Sequence, residues 1–140
     1  MIVFFDASVI IAALLSPTGG SSMLFTYIKS GKIRGITSQT VIEEILSKTQ
    51  KLNKSKEEIE QFIAASGLVV RKSITINEIA LYKNSVDTED AHLIAGANLT
   101  KCTHLVSLDK KHLSRPDIKN TFLPLRILSP KELLEEIVSR

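Results

Sequence analysis

The chain has 140 residues, 44% apolar and 24% charged, with 18 Lys and Arg against 15 Asp and Glu. That composition excludes a disordered or low-complexity chain and fits a single globular domain over residues 1–140, burying roughly 70% of its unfolded surface. A surplus of three positive charges permits a polyanionic partner without demanding one.

The first element is an apolar strand, Ile2–Phe5, ended by Asp6 and followed by the apolar run Val9–Leu15. Ser8 is placed to cap a helix beginning at Val9. The segment from Ser16 to Ser22, rich in Ser, Gly and Pro, reads as a loop before a second helix. Ile33–Thr37 reads as the second strand and leads into the helical stretch "SQTVIEEIL". Lys51–Glu60 reads as an exposed helix–helix junction, with Ser55 and Glu58 at capping-box spacing. Leu68–Arg71 is the third strand, and Thr75 with Glu78 signals another helix start. Next comes "VDTEDAHLIAGA", acids at a helix N-terminus ahead of an apolar face. His104–Leu108 and Leu125–Leu128 are the last strands, and Ser129-Pro130-Lys131-Glu132 opens the final helix. Gly31 and Gly67 fall where helices hand over to strands. Strands alternating with helices, several apolar on both faces, predict an α/β/α sandwich around a mostly parallel sheet.

Cys102 is the only cysteine, so no intrachain disulfide forms and a cytoplasmic location is expected. The apolar N-terminus lacks any Lys or Arg before Lys29, which argues against a signal peptide. The run Val9–Leu15 is too short to span a bilayer, so no membrane association is expected.

Asp6 poses the chemical question, because an unpaired carboxylate among apolar neighbours costs several kcal/mol once buried. In an open parallel sheet, the carboxyl end of a strand is where ligands bind. "HLVSLD" repeats the pattern and ends in Asp109. Were the two strands neighbours, about 4.8 Å apart, their carboxylates would repel unless a cation joined them. Two further acids are candidates for the same rim. In the helix after the second strand, Glu43 and Glu44 flank the buried face equally. Thr40 and Glu43 have capping-box spacing, which favours Glu44 for the site and leaves Glu43 as the alternate. In the later helix Asp87 is the expected N-cap and the alternate to Asp90, and Glu89 should point outward. Oxygen donors without cysteine suit Mg²⁺ or Mn²⁺ rather than Zn²⁺. His92, His104 and His112 lack zinc-site spacing and are assigned to no metal. Lys110, Lys111 and Arg115 near Asp109 are candidates for holding an RNA phosphate backbone.

Together, "VFFDASVIIAALL", "TSQTVIEEIL", "DTEDAHLIAGANL" and "THLVSLDKKHL" resemble the PIN-domain family, which includes VapC-type toxins, from Ile2 to about Leu128. The resemblance implies a five-stranded sheet in order 3-2-1-4-5 with helices on both faces. It implies an acidic quartet of Asp6, Glu44, Asp90 and Asp109, with Ser8 and Ser107 as accompanying hydroxyls. Many members carry Thr where this chain has Ser107. It further implies a homodimer silenced by an antitoxin.

The expectation is therefore a divalent-metal-dependent endoribonuclease, with Mg²⁺ or Mn²⁺ held by Asp6, Asp109, Asp90 and Glu44, and the toxin of a toxin–antitoxin pair. Its rival is a catalytically weak PIN-like module that binds RNA or a protein partner. An aspartyl-phosphate phosphatase ranks lower, because position 8 is Ser rather than a second acid.

Overall fold

The computed structural model describes residues 1–109, 113 and 115–140. Chain order runs β1 (Ile2–Phe5), α1 (Ala7–Leu15), α2 (Gly20–Lys29), β2 (Arg34–Ser38) and α3 (Gln39–Leu46). Then come α4 (Thr49–Leu52), α5 (Lys56–Ala65), β3 (Val69–Arg71), α6 (Ile76–Ala80) and α7 (Thr88–Leu99). The remainder is β4 (His104–Val106), α8 (Pro116–Thr121), β5 (Arg126–Leu128) and α9 (Pro130–Val138).

All five strands are parallel and lie in the order β3-β2-β1-β4-β5, with helices on both faces. The PIN-like topology expected from the motifs is the one observed. Strand order reverses at β1, between β2 and β4, so the crevice of this sheet opens beside Phe5 and its successor. Register fixes what meets there. Phe5 pairs with Val106, which brings Asp6 opposite Ser107. Each helix that leads into a parallel strand runs back across the sheet, so α7 begins at the rim where β1 ends.

The core explains why the central strands read as continuous apolar runs. Val3, Phe4 and Phe5 are fully buried, as are Leu105 and Val106. Helix α7 lies flat on β1 because position 96 has no side chain. A Cβ there would stand 2.6 Å from the Phe4 ring. The expected turn glycines also hold, with Gly31 at φ 79° and Gly67 at φ 84°, where an L side chain is strained.

Capping boxes form at Ser55–Glu58, Thr75–Glu78 and Ser129–Glu132 as the spacing predicts. Two cap assignments are corrected. Ser8 does not cap α1, which starts two residues earlier than expected, at Ala7, with Asp6 at the N-cap position and no side-chain cap bond. Thr40 does not pair with Glu43. Ser38 caps α3 by accepting from Val41 N, and the Thr40 hydroxyl instead accepts from Ile74 N. The loop after α1 is also shorter than expected, since Ser21 and Ser22 already lie in α2. Ile33, Leu68, Leu108 and Leu125 fall just outside their strands. Among the described residues no single helix is long and apolar enough to cross a membrane; α1 and α2 reach that length only together, bent by 97°.

Candidate active site

Asp6 sits at the carboxyl end of β1 and is 8% exposed. Its backbone is fixed on both sides. Asp6 N donates to Val106 O at 3.1 Å, and the buried Thr37 hydroxyl donates to the preceding carbonyl, Phe5 O, at 2.9 Å. Both predicted hydroxyls find the carboxylate. Ser107 Oγ donates to Asp6 Oδ2 at 2.6 Å and Ser8 Oγ donates to the same oxygen at 3.0 Å.

Each serine also accepts a backbone amide from the segment after β4. Leu108 N donates to Ser8 Oγ at 3.1 Å, and Asp109 N donates to Ser107 Oγ at 3.0 Å. The two hydroxyls are therefore struts, joining Asp6 to the stretch that carries Asp109. A hydroxyl has one proton to give, and here both are spent on one carboxylate oxygen. Asp6 Oδ1 is left without a hydrogen-bond partner among the described residues and is not sealed from solvent.

Glu44 and Glu43 separate clearly. Glu43 is exposed, whereas Glu44 is half-buried on α3 and turned toward α7, with Oε1 4.0 Å from His92 Nε2. Lys48 Nζ lies 3.6 Å from its other oxygen. Glu44 is the better-placed acid, for a reason other than the capping box that favoured it in the sequence.

His92, assigned to no metal on its spacing, nevertheless lies at this rim. It is buried, its Nδ1 has no hydrogen-bond partner, and its Nε2 looks toward Glu44. Burial pushes its pKa down, against the pull of the Glu44 and Asp6 carboxylates and the Glu89 backbone. An imidazole biased toward its neutral form thus faces Glu44 of α3 and lies within electrostatic reach of Asp6. The available signal was its position, two residues beyond Asp90 on the same helix.

Asp90 is buried in the first turn of α7, where its amide donates to Asp87 O at 2.9 Å. Asp87 occupies the N-cap position as expected, is exposed, and makes no side-chain cap bond. Glu89 points outward. His104 packs at the far end of the sheet, where Nε2 lies 3.1 Å from Glu136 Oε1. Arg115 is forked onto Asp117, with Nε to Oδ1 at 3.2 Å and Nη2 to Oδ2 at 2.9 Å. Lys110, Lys111 and His112 lie outside the described residues.

The structure thus ties Asp6 to the backbone of Asp109 through Ser107, and places Glu44 beside His92. It does not gather them into a chelate. Among the described residues, no three His, Cys, Asp or Glu side chains are close enough to share one ion. The donor chemistry nonetheless suits a hard divalent cation. Asp6 is a buried carboxylate with no Lys or Arg within 4.0 Å among the described residues, and one of its oxygens is open.

A sequence profile of the PIN domain matches residues 2–111, well over half of the chain. This chain belongs to the PIN-domain family. Solved structures agree on the fold. PAE2754 from Pyrobaculum aerophilum superposes with a TM-score of 0.66 at 13% identity, over 100% of this chain and 97% of that one. VapC20 of Mycobacterium tuberculosis, a toxin that cleaves the sarcin–ricin loop, superposes at 0.55 with 12% identity, over 78% of this chain and 91% of that one. No curated protein sequence matches the chain significantly. PIN domains are generally nucleases that use divalent metals, so the rim at the end of β1 is the candidate active site of this PIN domain.

Proposed function

We propose that this PIN-domain protein is an endoribonuclease dependent on Mg²⁺ or Mn²⁺, with Asp6, Asp109, Asp90 and Glu44 as the residues that hold the ion. One observation carries the reading: Asp6 is buried with no basic partner among the described residues, and two serines hold it while anchoring the segment of Asp109. A bound divalent cation supplies charge stabilisation to the phosphate and lowers the cost of ionising water. The chain's own residues do the rest. Ser8 and Ser107 fix the direction of the Asp6 carboxylate, so its open oxygen does not rotate away when substrate arrives. His92, whose pKa burial lowers, faces Glu44 across 4.0 Å and lines the same rim. Asp90, at the start of α7, borders the path by which a phosphate backbone enters the crevice.

The likeness to VapC20, a toxin acting on RNA, supports RNA as substrate, and the same likeness supports a toxin role with an antitoxin partner and a homodimer. A single domain over residues 1–140, acting in the cytoplasm and away from membranes, completes this reading.

Purified protein with Mn²⁺ should cut single-stranded RNA, and Asp6→Asn should abolish cutting. An unchanged rate in Asp6→Asn removes the mechanism. A second reading, a PIN-fold binding module with little catalysis, is favoured by one observation: the acids form no three-residue chelate among the described residues. Calorimetry decides between them. A nuclease binds Mn²⁺ in a manner that Asp6→Asn abolishes, and a module does not bind it.

A further inference from the structure

A cleft of ≈ 320 Å³ opens beside Asp90. Its walls are the segment from Lys83 to Val86, the first turn of α7, and Arg115 with the start of α8. We propose that this cleft seats one nucleotide of the RNA chain, next to the bond being cut; the proposal rests on the nuclease reading above.

Size is the first argument. Ligand pockets run from about 300 to 1,000 Å³, so this one has room for a single nucleotide unit but not for a stacked pair or a duplex. Position is the second. Asp90 forms part of the wall, so whatever enters lies against the catalytic rim.

Chemistry is the third. A nucleotide presents an anion, a flat apolar face and a polar edge, and the cleft offers a counterpart to each. Lys83 is exposed and has no carboxylate within 4.0 Å among the described residues, leaving its ammonium available to a phosphate. Val86 and Ile118 are half-buried and give apolar contact. Arg115 is held flat by its two bonds to Asp117, and a fixed guanidinium plane is a surface on which RNA bases stack. The Asn84 amide carries two donors and one acceptor, enough to pair with a base edge.

A phosphodiester carries a single charge, which Lys83 balances, with Arg115 already engaged by Asp117.

The test is an amide-shift titration of the uncleaving Asp6→Asn protein with single-stranded RNA tetranucleotides, alongside steady-state cleavage by the otherwise wild-type enzyme. Shifts should concentrate at residues 83–87 and 115–118. The double variant Lys83→Ala/Asn84→Ala, altered only at exposed positions, should bind the tetranucleotide about tenfold more weakly and raise KM by a similar factor with kcat within about twofold. Shifts centred elsewhere or an unchanged KM would each overturn the proposal. The two readings fail separately. RNA cleavage with an unaltered KM in the double variant discards the cleft and keeps the nuclease. Tetranucleotide shifts in the cleft without any cleavage by the wild type discard the nuclease and keep the cleft.

Discussion

Ser107 Oγ donates to Asp6 Oδ2 at 2.6 Å while accepting the amide of Asp109 at 3.0 Å, so one hydroxyl joins two acids that are about a hundred positions apart in sequence. This serine is 2% exposed. Removing it leaves an amide and a carboxylate oxygen without their shared partner. Ser107→Ala should therefore cost about 1.5–3 kcal/mol in denaturant melts, the range for a hydrogen bond to a charged group. RNA cleavage should fall about 10–100-fold, as when an outer support of a metal ligand is lost. Ser107→Thr, which keeps the hydroxyl, should restore most of both.

Asp6 behaves oppositely. Asn at position 6 can still accept from Ser8 and Ser107, and it removes a buried charge that no described basic residue balances. Metal-free Asp6→Asn should match or exceed wild-type stability, by about 0.5–2 kcal/mol, while losing activity. Thermal melts in chelator read this directly. A variant that is both inactive and destabilised would mean the carboxylate is structural.

Gly96 sets how closely the helix carrying Asp90 approaches β1. A Cβ there would meet Phe4 Cζ at 2.6 Å and Cε2 at 2.8 Å, both belonging to a fully buried ring. Gly96→Ala should destabilise the fold by about 1–3 kcal/mol through overpacking, despite the better helix propensity of Ala. Adding Phe4→Leu should recover part of that loss, measured as a non-additive double-mutant cycle.

The ion pair of Arg71 and Glu78 gives a pH signature. Hydrogen bonding from the Arg71 side chain, helped by the Thr75 amide, lowers the Glu78 pKa from 4.5 to about 2. The folded value lies below the unfolded one, so the unfolded chain binds this proton first. The contribution is present above pH 4.5 and disappears as pH falls toward 2. Arg71→Gln should return the Glu78 carboxyl to its ordinary range in a side-chain NMR titration and flatten that part of the acid-unfolding profile.

Local chemistry made much of this legible before any coordinates. The places of Asp6, directly after β1, and Asp109, three residues after β4, were readable because a charge after an apolar run has few cheap places to go. Capping boxes with a Glu three residues on formed wherever no distant group competed. The two misread caps share one cause. Ser8 and Thr40 have the right residue type for a cap, but the Ser8 hydroxyl accepts from Leu108 N while donating to the adjacent Asp6, and the Thr40 hydroxyl accepts from Ile74 N; both amides lie far along the chain. A hydroxyl's local preference yields to a long-range partner that no sequence window contains. The place of His92 beside Glu44 was hidden similarly, since only the packing of α7 against α3 brings the two together.

The most direct measurement is Mn²⁺ anomalous scattering from soaked crystals of the wild-type protein. The account predicts a peak in direct contact with Asp6, on the side of its open Oδ1, and none in crystals of Asp6→Asn. A peak far from Asp6, or one that survives Asp6→Asn unchanged, would contradict it.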